Sequence, residues 1–124
     1  MEQLILHLTG DYLLQSDWMA LNKIMNNKAD AAHALIYSLP FLLLQPSFAA
    51  WFTIFFTHFL IDRFAIAKYI AFAKTKIAPC NWWPEWKNCS VNGYSKDIPV
   101  WLSTWLLIIT DNTIHLIINY IALK

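Results

Sequence analysis

No formal charge occurs in the 31 residues from Ala31 to Ile61, bounded by Asp30 and Asp62. A soluble domain of ordinary size has too little interior to hide such a run, whereas a bilayer core calls for roughly 20 apolar residues per helix. A second run, Ile98 to Leu123, holds 26 residues with Asp111 as its only charge. A third, Gln3 to Ser16, is apolar apart from His7 and Asp11 and is shorter, which suits a tilted or partly embedded helix. Nothing alternates with a period of two, and strands in lipid must close into barrels. The expected fold is therefore all-α: a polytopic membrane protein, a bundle of about four helices, forming one domain over residues 1–124.

Helix-breaking residues set the expected boundaries. Pro40 interrupts the long run, and Gln45-Pro46-Ser47 stops one helix and starts another. Helices are expected over about 2–22, 29–45, 47–74 and 98–123. The N-terminus has neither a cationic stretch nor a small-residue cleavage site, so the first segment is expected to be kept. Lys23 and Lys28 follow the first helix. Arg63, Lys68, Lys74, Lys76, Lys87 and Lys96 lie along or after the end of the third. The positive-inside rule then puts both connections in the cytoplasm and both termini outside. The connection 75–97 carries Trp82, Trp83 and Trp86 with Pro79 and Pro84, which suits a loop at headgroup level.

Hydrophobic residues make up 58% of the chain against 14% charged, with a net charge of +1, and no Lys/Arg cluster is dense enough to track a phosphate backbone. Nucleic acid is accordingly excluded as a partner. The 7 Trp, 5 Tyr and 8 Phe suggest an interfacial belt added to a core, with membrane lipid as the surrounding partner. Cys80 and Cys89 are the only cysteines. They would close a disulfide in an oxidising compartment or stay unpaired, and a zinc knuckle would need more donors.

An Asp or His at membrane depth costs a few kcal/mol, roughly, unless it faces a partner, water or a metal. Seven occur inside the expected helices: His7, Asp11, His33, His58, Asp62, Asp111 and His115, and every histidine of the chain is among them. Residues four apart project from one helix face. His7/Asp11 and His58/Asp62 run His-x-x-x-Asp, and Asp111/His115 runs Asp-x-x-x-His, as an antiparallel neighbour would if all were to meet at one level. Three such pairs among four histidines would arise by accident on the order of a few times in a thousand.

Nitrogen and oxygen donors converging from four helices suit Zn, Mn, Fe or Co. Seven exceed the needs of one zinc, so either two ions share a carboxylate or some of the seven support the others. The glutamate-based di-iron pattern is excluded, since neither Glu2 nor Glu85 lies in a helix core. The candidate ligands are His7, Asp11, His58, Asp62, Asp111 and His115. His33 is a further ligand or the acid for a leaving group. Gln15, Tyr37 and Asn119 each stand four residues beyond one of the seven and are expected to support them or touch substrate. Arg63 either neutralises a phosphate or marks the membrane boundary. Asp17 and Asp30 read as solvated charges or caps. Gly10, beside Asp11, suits close helix approach. The plainer reading is that the His-Asp pairs only join helices by hydrogen bonds.

The runs His7-Leu8-Thr9-Gly10-Asp11-Tyr12-Leu13-Leu14-Gln15-Ser16-Asp17-Trp18-Met19-Ala20, Ala32-His33-Ala34-Leu35-Ile36-Tyr37, Thr57-His58-Phe59-Leu60-Ile61-Asp62-Arg63 and Thr110-Asp111-Asn112-Thr113-Ile114-His115-Leu116 resemble a family of uncharacterised phage and bacterial membrane proteins, domain of unknown function 3307. The resemblance brings no activity. It implies a small multi-pass protein of the bacterial inner membrane, often phage-encoded. A looser similarity of the His-x-x-x-Asp pattern to membrane-bound metal-dependent hydrolases agrees with the metal reading.

The expected function is a membrane-embedded hydrolase that uses one or two divalent transition metals, zinc first, to activate water against a phosphoester in a lipid or other amphipathic substrate. A cation or proton transporter is the alternative at membrane depth, although four short helices make a poor conduit unless the chain forms a homo-oligomer. A third class is a non-enzymatic phage accessory protein stabilised by a structural metal.

Overall fold

The computed structural model describes residues 1–124 and is helical throughout, with no strands. Two compact units make up the chain: Met1–Phe64 together with His115–Lys124, and Ala65–Ile114.

In the first unit, α1 (Glu2–Leu8) widens into a turn of π type over Thr9–Leu13, closed by Leu14 N donating to the Thr9 carbonyl at 3.0 Å. The chain bends there and restarts as α2 (Asp17–Asn22), where Ser16 Oγ accepts from Met19 N at 3.4 Å. One helix was expected over 2–22, and there are two. The Ser16 hydroxyl satisfies an orphan amide of a new first turn, and so competes with continuation of the old helix.

The helix α3 (Asn27–Ser38) begins at Asn26, whose side chain accepts from Lys28 N at 2.9 Å. It tightens into a 3-10 helix over Leu39–Leu44 at Pro40, which has no amide hydrogen to continue the α-helical ladder. Gln45 then takes the left-handed conformation at φ 50° and ends the element. Ser47 caps α4 (Phe48–Arg63) by accepting from Ala50 N at 3.2 Å. Gly10 lets the π turn approach α3, because a Cβ there would come within 3.0 Å of the Tyr37 ring and backbone. Trp51 Nε1 ties α4 to the Ser38 carbonyl at 3.2 Å. Tyr37, Phe41 and Ile54 are wholly buried, with Leu6, Leu44, Ala122 and Leu123 packed around them.

The third expected helix, 47–74, is also two. Ala65 adopts φ 47°, which no right-handed helix can continue, and α5 (Ile66–Lys74) starts after it. Neither Gly nor Pro marks the break.

The second unit holds α5, single 3-10 turns at Thr75–Ile77 and Cys80–Trp82, the short α6 (Trp86–Cys89), and the α7 (Val100–Ala122) residues up to Ile114. Trp86 stacks on Tyr69 at 5.3 Å between ring centres and meets Phe72 edge-on at 5.0 Å. The Lys76 ammonium lies over both Phe72 and Trp83. Gly93, at φ 83°, crosses α5 where a Cβ would strike the Lys68 carbonyl. Cys80 is exposed and Cys89 buried, and both are free thiols.

One helix, Val100–Ala122, is long and apolar enough to cross a membrane; a second would have to combine Phe48–Arg63 with Ile66–Ile77.

Candidate metal centre

The polar residues of the first unit meet in its interior. His7, Asp11, His33, His58, Asp62, His115 and Asn119 are all at least nine-tenths buried. Asp11 comes from the π turn, His33 from the middle of α3, His58 and Asp62 from one face of α4, and His115 from α7. Wide π turns recur at functional sites because the extra residue re-aims a side chain.

Four atoms form the inner set. His33 Nε2 and His58 Nε2 are 3.0 Å apart. Asp11 Oδ1 lies 3.3 Å from the first and 3.4 Å from the second. Asp62 Oδ2 lies 3.2 and 3.3 Å from the same two nitrogens. Each carboxylate turns its other oxygen outward to a further histidine: Asp11 Oδ2 to His7 Nε2 at 3.6 Å, and Asp62 Oδ1 to His115 Nε2 at 3.5 Å. Two imidazoles thus sit between two carboxylates, and each carboxylate is backed by an outer imidazole.

Behind His7 the contacts continue. Asn119 Nδ2 donates to the Tyr37 hydroxyl at 2.6 Å, and that hydroxyl meets His7 Nδ1 at 2.8 Å. The Tyr37 oxygen accepts from Asn119, and a Tyr37 hydroxyl that donates to His7 Nδ1 places the hydrogen of His7 on Nε2, facing Asp11. The Tyr37 ring also stacks on His58, 3.6 Å between centres.

The spacing of the inner atoms fits a metal ion. Asp11 Oδ1, His33 Nε2 and His58 Nε2 form a triangle with sides of 3.0, 3.3 and 3.4 Å. Its centre lies about 1.9 Å from each corner, so an ion just off the plane reaches the roughly 2.0–2.1 Å typical of zinc bonds to nitrogen and oxygen. Asp11 Oδ1 is buried and has no hydrogen-bond partner, as expected of an atom whose natural partner is a cation. The buried triads Asp11/His33/His58 and His58/Asp62/His115 each bring their donor atoms within 4.8 Å of one another. Both draw on His58, and the same His58 nitrogen faces both inner carboxylate oxygens. His58 is thus common to both triads.

The remaining expected site residues supply none of the four inner atoms. Gln15 Oε1 accepts from Lys23 Nζ at 3.2 Å at the edge of the cluster. Arg63 closes α4, and its Nε donates to Asn27 Oδ1 at the surface. Asp111 lies one turn before His115 on α7, in the stretch counted with the second unit.

Two residues escaped the sequence reading as parts of the site. Lys23, at the end of α2, contacts Asp62 Oδ2 at 2.8 Å, with its side chain about one-fifth exposed. No spacing rule foretells a contact across 39 positions. Asp30, read as a solvated charge or cap, is completely buried. Its place three residues before His33 was the one signal available.

Fold and site together define a helical protein with a buried histidine–aspartate centre. Residues 1–84 match the family described as "Protein of unknown function (DUF3307)", and the chain belongs to it. The matched stretch contains all four inner donors with His7 and Tyr37, while His115 and Asn119 lie beyond it. No curated protein and no solved structure matches the chain.

Proposed function

We propose that this chain is a membrane-embedded, metal-dependent hydrolase acting on a phosphoester of a lipid or other amphipathic substrate. The observation that carries the reading is the inner set: two imidazole nitrogens and two carboxylate oxygens, buried, in two triangles with sides of 3.0–3.4 Å. Asp11, His33, His58 and Asp62 would hold one divalent ion, with His7 and His115 orienting the carboxylates from behind. A bound ion of this kind supplies hydroxide near neutral pH by lowering the pKa of its water.

The chain's own groups do the rest. His7 and His115 keep Asp11 and Asp62 turned inward. Tyr37 and Asn119 fix the hydrogen on His7. Lys23 is the cation that touches the centre while reaching solvent, and so is placed to draw in a phosphoryl oxygen, whereas Arg63 is engaged by Asn27 at the surface. His33, with its Nε2 in the inner set, is assigned to the ion rather than to proton delivery.

The apolar surface supports the membrane setting. Phe48, Phe52 and Phe56 on α4 and Trp101, Trp105, Ile109, Ile117 and Ile121 on α7 are all exposed. Large apolar side chains so arranged belong against lipid or a partner. The proposed location is the bacterial inner membrane with more than one crossing.

A second reading rests on an observation of its own. Four protein donors suffice to close a tetrahedral zinc shell, which is the mark of structural zinc. The ion would then stabilise a non-enzymatic protein.

The test is elemental analysis of the detergent-purified protein beside a His58→Ala/Asp62→Ala variant. About one transition-metal ion per chain, lost in the variant, is expected, followed by metal-dependent cleavage in a phosphoester screen. Absence of metal under every loading condition overturns both readings. A bound ion whose removal melts the protein, with no turnover on any phosphoester, selects the structural one.

A further inference from the structure

Asp30 is fully buried, yet neither of its oxygens has a hydrogen-bond partner. One turn along the same helix, His33 is equally buried and its Nδ1 is also unpartnered, although its Nε2 lies in the inner set. A carboxylate and a ring nitrogen left unsatisfied three residues apart on α3 lie on one helix face, where side chains are neighbours. The charges that act on Asp30 are those of Asp62, His33, Lys23 and Arg63. Lys23 already contacts Asp62 and Gln15, and the Arg63 Nε is engaged by Asn27. His33 is the neighbour whose hydrogen-bonding group is both buried and unfilled.

We propose that Asp30 is the positioning carboxylate of the centre: it accepts the His33 Nδ1 hydrogen and thereby leaves His33 Nε2 to face Asp11, Asp62 and a metal ion. A metal-bound imidazole commonly hands its second nitrogen to a carboxylate in this way, which fixes the ring and strengthens the donor. The role in metal binding rests on the function proposed above; the hydrogen bond itself does not.

Two measurements separate the two. The first is zinc affinity by chelator competition for wild type, Asp30→Asn and Asp30→Ala. Asp30→Ala is expected to weaken binding roughly 10- to 100-fold. Asp30→Asn, which keeps an acceptor oxygen, should recover part of that loss, whereas a merely structural role for the charge would give no such rescue. The second is nitrogen-15 NMR of histidine-labelled, metal-free wild type, in which His33 Nδ1 should carry a hydrogen-bonded proton. That readout needs neither a metal nor a folded variant. A wild type that binds no zinc but shows the bonded Nδ1 proton removes the metal reading and upholds the Asp30–His33 pairing. An unprotonated His33 Nδ1, or zinc affinity unchanged in Asp30→Ala, overturns the proposal.

Discussion

The two compact units use their interiors in opposite ways. The first buries His7, Asp11, Asp30, His33, His58, Asp62, His115 and Asn119 around a small apolar cluster of Tyr37, Phe41 and Ile54. The second buries small or modest groups, Ala67, Ala71, Cys89, Tyr94 and Ser103, and sets Trp82, Trp83 and Trp86 outside with lysines lying over the Phe72, Trp83 and Tyr94 rings. Burying ionisable groups is expensive, and nothing in helix packing alone calls for so many together. The contrast teaches that the ionisable groups are concentrated in the first unit, while the second keeps its tryptophans outside and buries few polar groups.

The comparison is broken most directly at Asp62. Asp62→Ala removes the oxygen shared by His33, His58 and Lys23 and the one facing His115. It should abolish metal retention and cost about 3–5 kcal/mol through the charge left unpaired. Metal content per chain and denaturant titration read the two effects; full occupancy would take Asp62 out of the inner set. A milder break is Gly10→Ala, whose Cβ collides with Tyr37 backbone as well as ring. A loss of about 1–3 kcal/mol with weakened metal retention is expected. Gly93→Ala, strained against Lys68 in the second unit, should destabilise while leaving retention intact. Equal effects on metal from both glycine variants would erase the division between the units.

Smaller again is Tyr37→Phe, which deletes the hydroxyl between His7 and Asn119. It should cost about 1–3 kcal/mol in thermal stability and retain the metal, because the inner donors are untouched. The gentlest probe lies in the second unit. Burial pushes the Cys89 thiol up, so at mildly alkaline pH an alkylating reagent should label Cys80 first, and Cys89 should need higher pH or denaturation. Equal rates would mean that the loop opens freely.

The His-x-x-x-Asp spacings were legible because they depend only on helical repeat. His58 and Asp62 indeed share a face of α4, and His7 still meets Asp11 although a π turn intervenes. Tyr37 and Asn119 were found by the same rule. What spacing cannot show is which of the groups stand inside: for six of the seven, Asp111 apart, the division into four inner and two outer depends on which oxygen each carboxylate turns inward. Lys23 and Asp30 escaped for a related reason, since their importance lies in contact and burial. The helix break at Ala65 left no trace because alanine is a strong helix former, and tertiary context overrides propensity there.

All four inner donors lie between Asp11 and Asp62, in the first half of the chain. At a synthesis rate of about 5–20 residues per second, the ribosome needs several more seconds after Asp62 to reach His115. If the centre binds the proposed ion, all four inner donors would be made before the helix carrying His115 exists. An ion captured then would join the π turn, α3 and α4 as a scaffold for everything that follows, and the availability of metal during synthesis would set the yield of folded protein.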